Sequence, residues 1–263
     1  MYAFEFVKPK SIAEAVKALA AEDAQALGGG QTLIPTLKNR LASPAVLVSL
    51  TGIAEMKGVC KADDGSVAVG GATTHAVVAK EAAKLYPALA ALAGGIGDPA
   101  VRNLGTIGGS LANNDPAACY PAAVLGSGAV VVTNTRKIKA EDFFDGMFAT
   151  TLNPGEIITE VRFPVPQKAA YVKFHQPASR FALTGVFVAK FADGVRVAVT
   201  GASESGVFRW AEAEAALSKL FTAEAVKGLK APAKGMIGDL HGTPEYRAHL
   251  VGVLTARAVA AAG

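Results

Sequence analysis

Apolar and polar residues alternate along the first fifty residues at spacings that change between helix and strand. Ser11 and Glu14 form a capping box ahead of apolar residues at helical spacing, which predicts a helix. Residues 24–27 predict a strand, Thr32 is expected to cap a second helix that ends near Arg40, and the β-branched residues of 46–50 predict another strand. The beginning of the chain therefore predicts a small α/β unit.

The middle of the chain mixes short strands with helices. Residues 94–114 are rich in Gly and Asn and predict an irregular loop. We expect Ile107 and Leu111, the apolar residues of its second half, to anchor this loop to the core. Around the loop we predict strands at 67–69, 130–132 and 157–163, and helices at 74–86, at 87–93 and near Pro121.

The last hundred residues follow a pair of prolines, Pro164 and Pro166, which indicates a boundary. Strands followed by helices favour an antiparallel sheet that is covered on one face. We therefore expect an α+β fold in three units, at residues 1–57, 58–164 and 165–263. In the third unit we predict a hairpin turn at Asp193-Gly194, strands at 171–174, 183–191 and 195–200, and helices at 211–220, 223–229 and 245–262.

The composition favours a packed globular protein, since 51% of the 263 residues are hydrophobic and only 18% are charged. The net charge of +4 comes from scattered residues without a basic run, so we expect no nucleic-acid partner. The N-terminus lacks the features of a signal peptide, and no window predicts a membrane span. We expect a cytoplasmic protein.

Neither the cysteines nor the histidines show the spacing of a metal site. Cys60 and Cys119 form no C-x-x-C pair, so we expect two buried, reduced thiols and no metal bound to this chain. No nucleophile with a neighbouring base stands out, and no carboxylate pair lies in a recognisable setting. If the chain works in an enzyme, we expect a cofactor to carry the chemistry and no catalytic residue here.

A first glycine-rich segment lies between a predicted strand and a predicted helix, and spans Leu27 to Ile34. Three consecutive glycines leave backbone N–H groups unshielded, and such groups at a helix start bind anions, phosphate above all. Gln31 stands where a P-loop needs lysine, and Leu33 stands where the dinucleotide fingerprint needs a third glycine. A tight structural turn explains this segment equally well.

A second glycine-rich segment, residues 105–116, combines glycines with polar side chains. Gly108 and Gly109 allow another molecule to approach the backbone closely. An ordered structural loop is the alternative interpretation. Two such segments in one chain fit an extended ligand with a diphosphate and a polar ring system, to which hydrogen bonds are offered by Thr106, Ser110 and Asn113.

These segments resemble the signatures of the FAD-binding medium subunits of the xanthine dehydrogenase and carbon monoxide dehydrogenase family, the molybdenum hydroxylases. The first family signature resembles A-G-G-Q-S-L-I-P, where this chain has residues 28–35. The second resembles R-N-x-G-T-I-G-G-N-L-A-N-A-D-P, where it has residues 102–116. Further similarities follow in the family's order over nearly the whole chain, at Lys38-Asn39-Arg40, 142–144, 155–158, 171–174 and Tyr246-Arg247.

The resemblance implies a fold and a role. The implied fold is a two-part FAD-binding domain of the vanillyl-alcohol-oxidase type, followed by a C-terminal α+β domain with an antiparallel sheet and helices. In the implied role, a large molybdopterin subunit oxidises the substrate at a molybdenum cofactor and a small subunit carries two [2Fe–2S] clusters. FAD on this chain passes the electrons to an external acceptor, and the implied assembly is a dimer of heterotrimers.

The resemblance also implies which residues bind the cofactor. The first segment would hold the diphosphate and ribitol, and a lysine beside the flavin would favour its anionic reduced form. Two positions depart from the family: Ser110 replaces Asn, and Cys119 replaces an Asp that commonly touches the adenosine end. The implied set is Leu27, Gly28, Gly29, Gly30, Gln31, Thr32, Leu33, Ile34, Ile96, Gly97, Thr106, Gly109, Ser110, Asn113, Cys119, Ile158 and Lys173.

Two other interpretations stay open. A stand-alone flavin-dependent oxidase or reductase would need a substrate base, and none is evident in the sequence. A non-catalytic binding protein would use the glycine segments only as turns. In the favoured interpretation the substrate pocket belongs to another chain, so carbon monoxide, aldehydes, purines and N-heteroaromatics all fit this sequence.

Overall fold

The computed structural model describes all 263 residues, and its helices and strands form three consecutive groups. The first group comprises β1 (Glu5–Val7), α1 (Ile12–Leu19), β2 (Ala24–Leu27), α2 (Leu33–Lys38) and β3 (Val46–Ser49). The second comprises β4 (Val59–Lys61), β5 (Val67–Gly70), α3 (His75–Glu81), α4 (Pro87–Gly94), α5 (Pro99–Leu104), α6 (Ile107–Asn113), α7 (Tyr120–Ser127), β6 (Val130–Thr133), β7 (Lys137–Lys139), α8 (Ala140–Phe143) and β8 (Ile158–Phe163). The third comprises β9 (Lys168–His175), β10 (Ala182–Phe191), β11 (Gly194–Thr200), β12 (Phe208–Arg209), α9 (Ala211–Lys219) and α10 (Pro244–Ala261).

The N-terminal sheet consists of three parallel strands in the order β1-β3-β2. The Ser11 half of the predicted capping box is confirmed, because the Ser11 hydroxyl accepts a hydrogen bond from the N–H of Glu14 at 3.2 Å at the start of α1. The Glu14 carboxylate accepts from the N–H of Lys10 at 2.8 Å instead of that of Ser11. Parallel strands require crossover connections, which α1 and α2 supply. Ligands bind outside the carboxyl ends of parallel strands, and the first glycine segment leaves the sheet at that end of β2.

The middle sheet is antiparallel throughout, in the order β4-β5-β8-β6-β7. Its three predicted strands are confirmed, whereas β4 and β7 carry no pattern long enough to predict them. Ile107 and Leu111 are fully buried, so the expected anchoring of the second glycine segment is also confirmed. The predicted helix over 74–86 is too long, since α3 ends at Glu81 and a 3-10 turn follows.

The irregular loop predicted at 94–114 is wrong, because α5 and α6 occupy most of it. Asp98 caps α5 by accepting a hydrogen bond from the N–H of Val101 at 2.9 Å, with Pro99 in the first turn. Thr106 caps α6 in the same way, with the N–H of Gly109 as donor at 3.2 Å. The glycines lower the intrinsic helix propensity here, and capping together with tertiary packing overrides it.

The C-terminal sheet is antiparallel, in the order β12-β11-β10-β9, and the hairpin predicted at Asp193-Gly194 is confirmed. The expectation that helices cover one face only is wrong. α9 and α10 pack on one face and α7 packs on the other, so β10 is buried continuously over residues 182–189. An uninterrupted apolar strand is what burial on both faces requires. The helix predicted at 223–229 is only a 3-10 turn, Ala223–Val226.

Tyr86 joins the middle and C-terminal sheets. Its ring meets Phe163 of β8 and Phe187 of β10 edge to face, with centroids 6.3 and 6.4 Å apart. Its hydroxyl lies 2.8 Å from that of Ser127 in α7, so these two hydroxyls pair with each other. Gly126 lets α7 lie directly on the sheet, since a Cβ there would come within 2.9 Å of the Phe187 ring. This packing fixes the third unit against the second.

The two cysteines have different environments. Cys119 is buried at the start of α7, as expected. Cys60 is exposed on β4, so the expectation of a buried thiol is wrong there. β4 is an edge strand of the middle sheet, and edge strands leave part of their side chains open to solvent. The division of the chain after residues 57 and 164 stays a prediction.

Arg247 ties α10 to the C-terminal sheet. Its buried guanidinium donates to the carbonyl oxygens of Leu183 and Gly201 at 2.6 and 2.7 Å, and to both oxygens of the Asp239 carboxylate at 2.8 and 2.7 Å. These bonds hold the helix, the strand ends and the loop before the helix in one arrangement.

No helix of the chain, α10 included, combines the length and apolar character needed to cross a membrane.

We predict that Arg247→Ala lowers the free energy of unfolding by about 3 kcal/mol, because two buried carbonyls and a carboxylate lose their donor. Urea denaturation followed by circular dichroism measures this change. Arg257→Ala is the matched control, since Arg257 is exposed on the same helix, and it should cost less than about 0.5 kcal/mol. Equal losses in the two variants would contradict the role assigned to Arg247.

Candidate functional site

A cleft of about 570 Å³ opens where the three units meet. Of the residues predicted to bind a cofactor, Ile34 does not line it: its side chain lies beneath Gly30, where a Cβ would come within 2.8 Å of Ile34 Cγ1. The structure brings the other predicted residues together around this one cleft, namely Leu27, Gly28, Gly29, Gly30, Gln31, Thr32, Leu33, Ile96, Gly97, Thr106, Gly109, Ser110, Asn113, Cys119, Ile158 and Lys173.

The first glycine segment presents a row of unpaired backbone donors. The N–H groups of residues 28–32 donate to no acceptor in the chain. The Gln31 side chain closes the turn by donating to the carbonyl of Gly29 at 3.1 Å, and Gly30 adopts φ +71°, a conformation that favours glycine. Unpaired backbone donors need an external acceptor, and the several oxygens of a phosphate suit a row of them.

Thr32 occupies the position before α2 without capping it. The expected capping hydrogen bond is absent, because Thr32 has helical rather than extended backbone angles. Its hydroxyl makes no hydrogen bond in the chain and belongs to the cleft lining. The side chain therefore adds a free donor beside the unpaired N–H groups.

Gly28 and Gly29 allow the two glycine segments to touch backbone against backbone. A Cβ at Gly29 would overlap the carbonyl group of Leu104. A Cβ at Gly28 would come within 2.7 Å of the Thr106 hydroxyl and 3.5 Å of Gly109 Cα. These two glycines are therefore required by the packing of the chain on itself, in addition to any approach of a ligand.

The second glycine segment uses its own N–H groups inside the chain. Gly108, which was expected to admit a ligand, lines the cleft and also lies against Gly71, since a Cβ on Gly108 would lie 2.6 Å from the Gly71 carbonyl oxygen. The close approach of a ligand to Gly108 stays a prediction. The segment lines the cleft with Gly109 and with the Ser110 and Asn113 side chains. The N–H groups of residues 107–110 donate to the carbonyls of Thr73 and Gly71 and to the hydroxyl and carbonyl of Thr106.

The turn before α5 forms a rigid part of the cleft wall. The Arg102 guanidinium donates to the carbonyls of Ile96 and Gly97, both at 3.0 Å. Gly97 has φ +50°, and a Cβ there would come within 3.0 Å of Val101. Because one side chain holds both carbonyls, the predicted pair of Ile96 and Gly97 keeps a fixed position in the cleft.

Lys173 crosses from the C-terminal sheet to the second unit. Its ammonium donates to the carbonyls of Gly95 and Arg180 at 2.9 and 2.8 Å and lies 3.4 Å from Cys119 Sγ. The three protons of the ammonium are thus used by the chain, and its charge acts on a ligand through space. Cys119 and Lys173 therefore lie at the same end of the cleft, beside Gly95. Which part of a cofactor each of them contacts stays a prediction.

Glu156 stabilises the part of the cleft wall that directly precedes β8. Its carboxylate receives hydrogen bonds from Arg136 at 2.9 Å, from the Thr133 hydroxyl at 2.6 Å and from the N–H of Asn153 at 2.8 Å. These interactions, the Arg136 hydrogen bond above all, lower the pKa of Glu156 to about 2. The ion pair therefore fixes residues 151–158, and Ile158 lines the cleft from this segment.

The cleft also contains residues that the sequence did not single out. Asp115 lies near the end of the second glycine segment, so its position in that motif was an available signal; burial raises the pKa of its carboxyl group. Phe148 belongs to a turn that the Asn114 side chain holds by hydrogen bonds to two of its carbonyls. No local pattern marks the others as cleft residues, among them His75, Phe148, Arg180 and Phe181.

Comparison with known proteins finds relatives that match this chain over nearly its whole length. Residues 2–166 match the family described as the FAD binding domain in molybdopterin dehydrogenase. The chain is 35% identical to the carbon monoxide dehydrogenase medium chain of Afipia carboxidovorans, over 97% of this chain and 95% of that one. It is also 35% identical to the nicotine 6-hydroxylase medium subunit of Paenarthrobacter nicotinovorans, over 99% and 98%. A chain of quinoline 2-oxidoreductase from Pseudomonas putida 86 superposes with a TM-score of 0.89 at 27% identity, over 99% and 97%.

We predict that Gly29→Ala destabilises the chain by about 3 kcal/mol, because its Cβ pushes the first glycine segment away from the carbonyl of Leu104. Thermal and urea denaturation measure the loss. Gly94→Ala is the matched control: its Cβ would make an ordinary contact 3.8 Å from Ala79, so its stability should stay equal or rise by up to about 1 kcal/mol. A stable Gly29→Ala chain would show that the two segments do not constrain each other.

We predict that Glu156 stabilises the fold by about 2 kcal/mol at neutral pH. Its pKa is lower in the folded chain, about 2, than the ordinary value of 4.5, so its contribution is complete above pH 4.5 and is lost as the pH falls toward 2. Glu156→Gln should therefore be less stable at pH 7, and its difference from the unaltered chain should shrink between about pH 4.5 and 2. Urea denaturation at several pH values measures both chains. A difference that does not vary with pH would contradict this account.

Proposed function

We propose, from the premise that this chain belongs to the family of FAD-binding medium subunits of molybdopterin dehydrogenases, that it holds FAD in its cleft for electron transfer. Electrons would arrive from [2Fe–2S] clusters on a small partner subunit and leave to an external acceptor. The chain's relatives are named as medium chains or subunits of dehydrogenases and a hydroxylase, and we propose that the substrate is oxidised on another subunit. The expected large subunit would carry the molybdenum cofactor, in a dimer of heterotrimers.

The observation that carries this proposal is the row of unpaired N–H groups at residues 28–32. A diphosphate brings several anionic oxygens to one place, which matches consecutive donors aimed into one cleft. The Thr32 hydroxyl adds a further donor there. The cleft volume of about 570 Å³ lies in the usual range for cofactor sites.

The remaining cleft residues would contact different parts of FAD. Ser110 and Asn113 offer polar side chains next to the first segment, while Ile96, Gly97 and Ile158 offer apolar and backbone surface for a flat ring. The fixed positive charge of Lys173 would favour negative charge on a ligand at its end of the cleft. When bound, FAD supplies the redox chemistry, and the chain supplies binding, orientation and electrostatics.

The substrate of the complex would be chosen by another subunit. The relatives of this chain are named for activities on carbon monoxide and on nicotine, although each is equally similar to it, at 35% identity. One scaffold of this type therefore accompanies different substrates. We propose that this chain, too, contacts FAD and the electron acceptor rather than the molecule that is oxidised.

We predict that the complex, purified from its host through a tag on this chain, releases FAD on denaturation, at about one molecule per chain. Mass spectrometry identifies the cofactor and the absorption of the released flavin measures its amount. An intact complex without flavin would overturn the proposal and favour glycine segments that serve only as turns. Substrate turnover by the isolated chain would instead favour a stand-alone flavin oxidase or reductase.

A further inference from the structure

His75 is placed against the second glycine segment by the backbone. It is the first residue of α3, and its N–H donates to the carbonyl of Gly105 at 2.9 Å. Its neighbour Thr74 pairs with Thr106 in an isolated β-bridge. The imidazole consequently lies beside Gly105, where a Cβ would come within 2.6 Å of His75 Nε2. Glycine at 105 therefore leaves the space that the ring needs.

The imidazole of His75 is buried and has no hydrogen-bond partner. Only 5% of the residue is exposed, and its ring packs against Tyr120 with centroids 5.3 Å apart. Nδ1 is sealed from solvent and unpaired. Nε2 makes no hydrogen bond in the chain either, but it is not sealed, and His75 belongs to the cleft lining. A buried polar group without a hydrogen-bond partner is costly, so we expect a ligand in the cleft to supply a partner for the ring.

The protonation of His75 defines what that partner can be. Burial above all, together with the nearby positive charge of Arg102, lowers the pKa of the imidazole to about 4. A neutral imidazole carries one N–H, and a proton on the sealed Nδ1 would have no acceptor. The tautomer with the proton on Nε2 is therefore favoured, which makes the ring a donor toward the cleft. A neutral donor serves an uncharged oxygen as well as an anionic one, so the position of His75 along the cleft decides which part of a ligand it meets.

The position of His75 lies between the two ends of the cleft. On one side, Thr106 adjoins Gly28, the first residue with an unpaired N–H. On the other, Val101 packs against both Gly105 and Gly97, which belongs to the wall proposed for the flat ring. The middle of FAD, between the diphosphate and the isoalloxazine, is the ribityl chain, whose hydroxyl groups are uncharged.

We infer that His75 is a further cofactor-binding residue, which donates a hydrogen bond from Nε2 to a ribityl hydroxyl oxygen of FAD. This inference rests on the proposed function of the cleft. It explains why a polar ring occupies a buried position that an apolar side chain would fill at lower cost. The same bond would fix the link between the two ends of the cofactor, and so the place of the ring against Ile96 and Gly97.

We predict that His75→Leu weakens FAD binding about tenfold, because the side chain fills the space without a donor. His75→Gln, whose amide reaches the position of Nε2, should recover most of the affinity. The full-length chain is freed of flavin and titrated with FAD by calorimetry, and the melting temperature of each flavin-free chain is recorded. His249→Gln is the matched control, since His249 is exposed on α10 away from the cleft, and it should bind FAD unchanged.

Two further measurements keep the test decisive. ADP lacks the ribityl chain and the ring, so its competition with FAD should be the same in the unaltered and His75→Leu chains. If the leucine variant does not fold, His75→Asn takes its place: its amide is too short to reach the cleft, and it should bind FAD as weakly as expected for leucine.

The possible results separate this inference from the proposed function. An unaltered chain that does not bind FAD overturns the proposed function. An unaltered chain that binds FAD, with variants of equal affinity, overturns only the role of His75. An equal loss of ADP binding, or a glutamine variant as weak as leucine with an equally lowered melting temperature, would show that His75 serves the packing of the loop.

Discussion

At two places the backbone touches another stretch of backbone with no side chain between them, and the cleft depends on these two contacts. Gly29 meets the carbonyl of Leu104, and Gly108 meets the carbonyl of Gly71, so a single Cβ at either glycine would separate the segments. Glycine loses more conformational freedom on folding than any other residue, so these positions are costly in isolation. These contacts bring donors from one segment and side chains from another to the same cleft.

The C-terminal unit also holds the walls of the cleft in place. The Thr200 hydroxyl lies 2.9 and 2.7 Å from the carbonyls of Pro116 and Ala118, where the chain leaves the second glycine segment. Lys173 holds the carbonyl of Gly95 on the opposite side of the cleft. Both contacts come from the antiparallel sheet, which Tyr86 and α7 fix against the middle unit. The third unit therefore limits how far the cleft walls can separate.

The two glycine segments have opposite hydrogen-bonding roles in spite of their similar composition. The N–H groups of residues 28–32 remain free for a ligand, whereas those of residues 107–110 are used by the chain itself. This division gives the cleft one end suited to anions and a rigid wall beside it. His75 adds a buried, neutral donor between the two ends of the cleft, where the uncharged middle of an extended cofactor would lie. A chain built in this way holds and orients a cofactor, and it leaves substrate chemistry to a partner.

The sequence by itself determined what depends on near neighbours along the chain. The capping box at Ser11, the turn at Asp193-Gly194 and most of the strands could be read from local patterns, because a helix cap or a tight turn involves residues only a few positions apart. The two glycine motifs indicated the family, and all the cofactor-binding residues implied by that resemblance, except Ile34, line the cleft. Tertiary structure decided that residues 94–114 fold largely into helices, that Ile34 packs beneath Gly30 instead of lining the cleft, and that His75 reaches the cleft. Those outcomes follow from packing between segments that lie tens of residues apart, and neither hydrophobic period nor glycine content reports which distant backbone will be the neighbour.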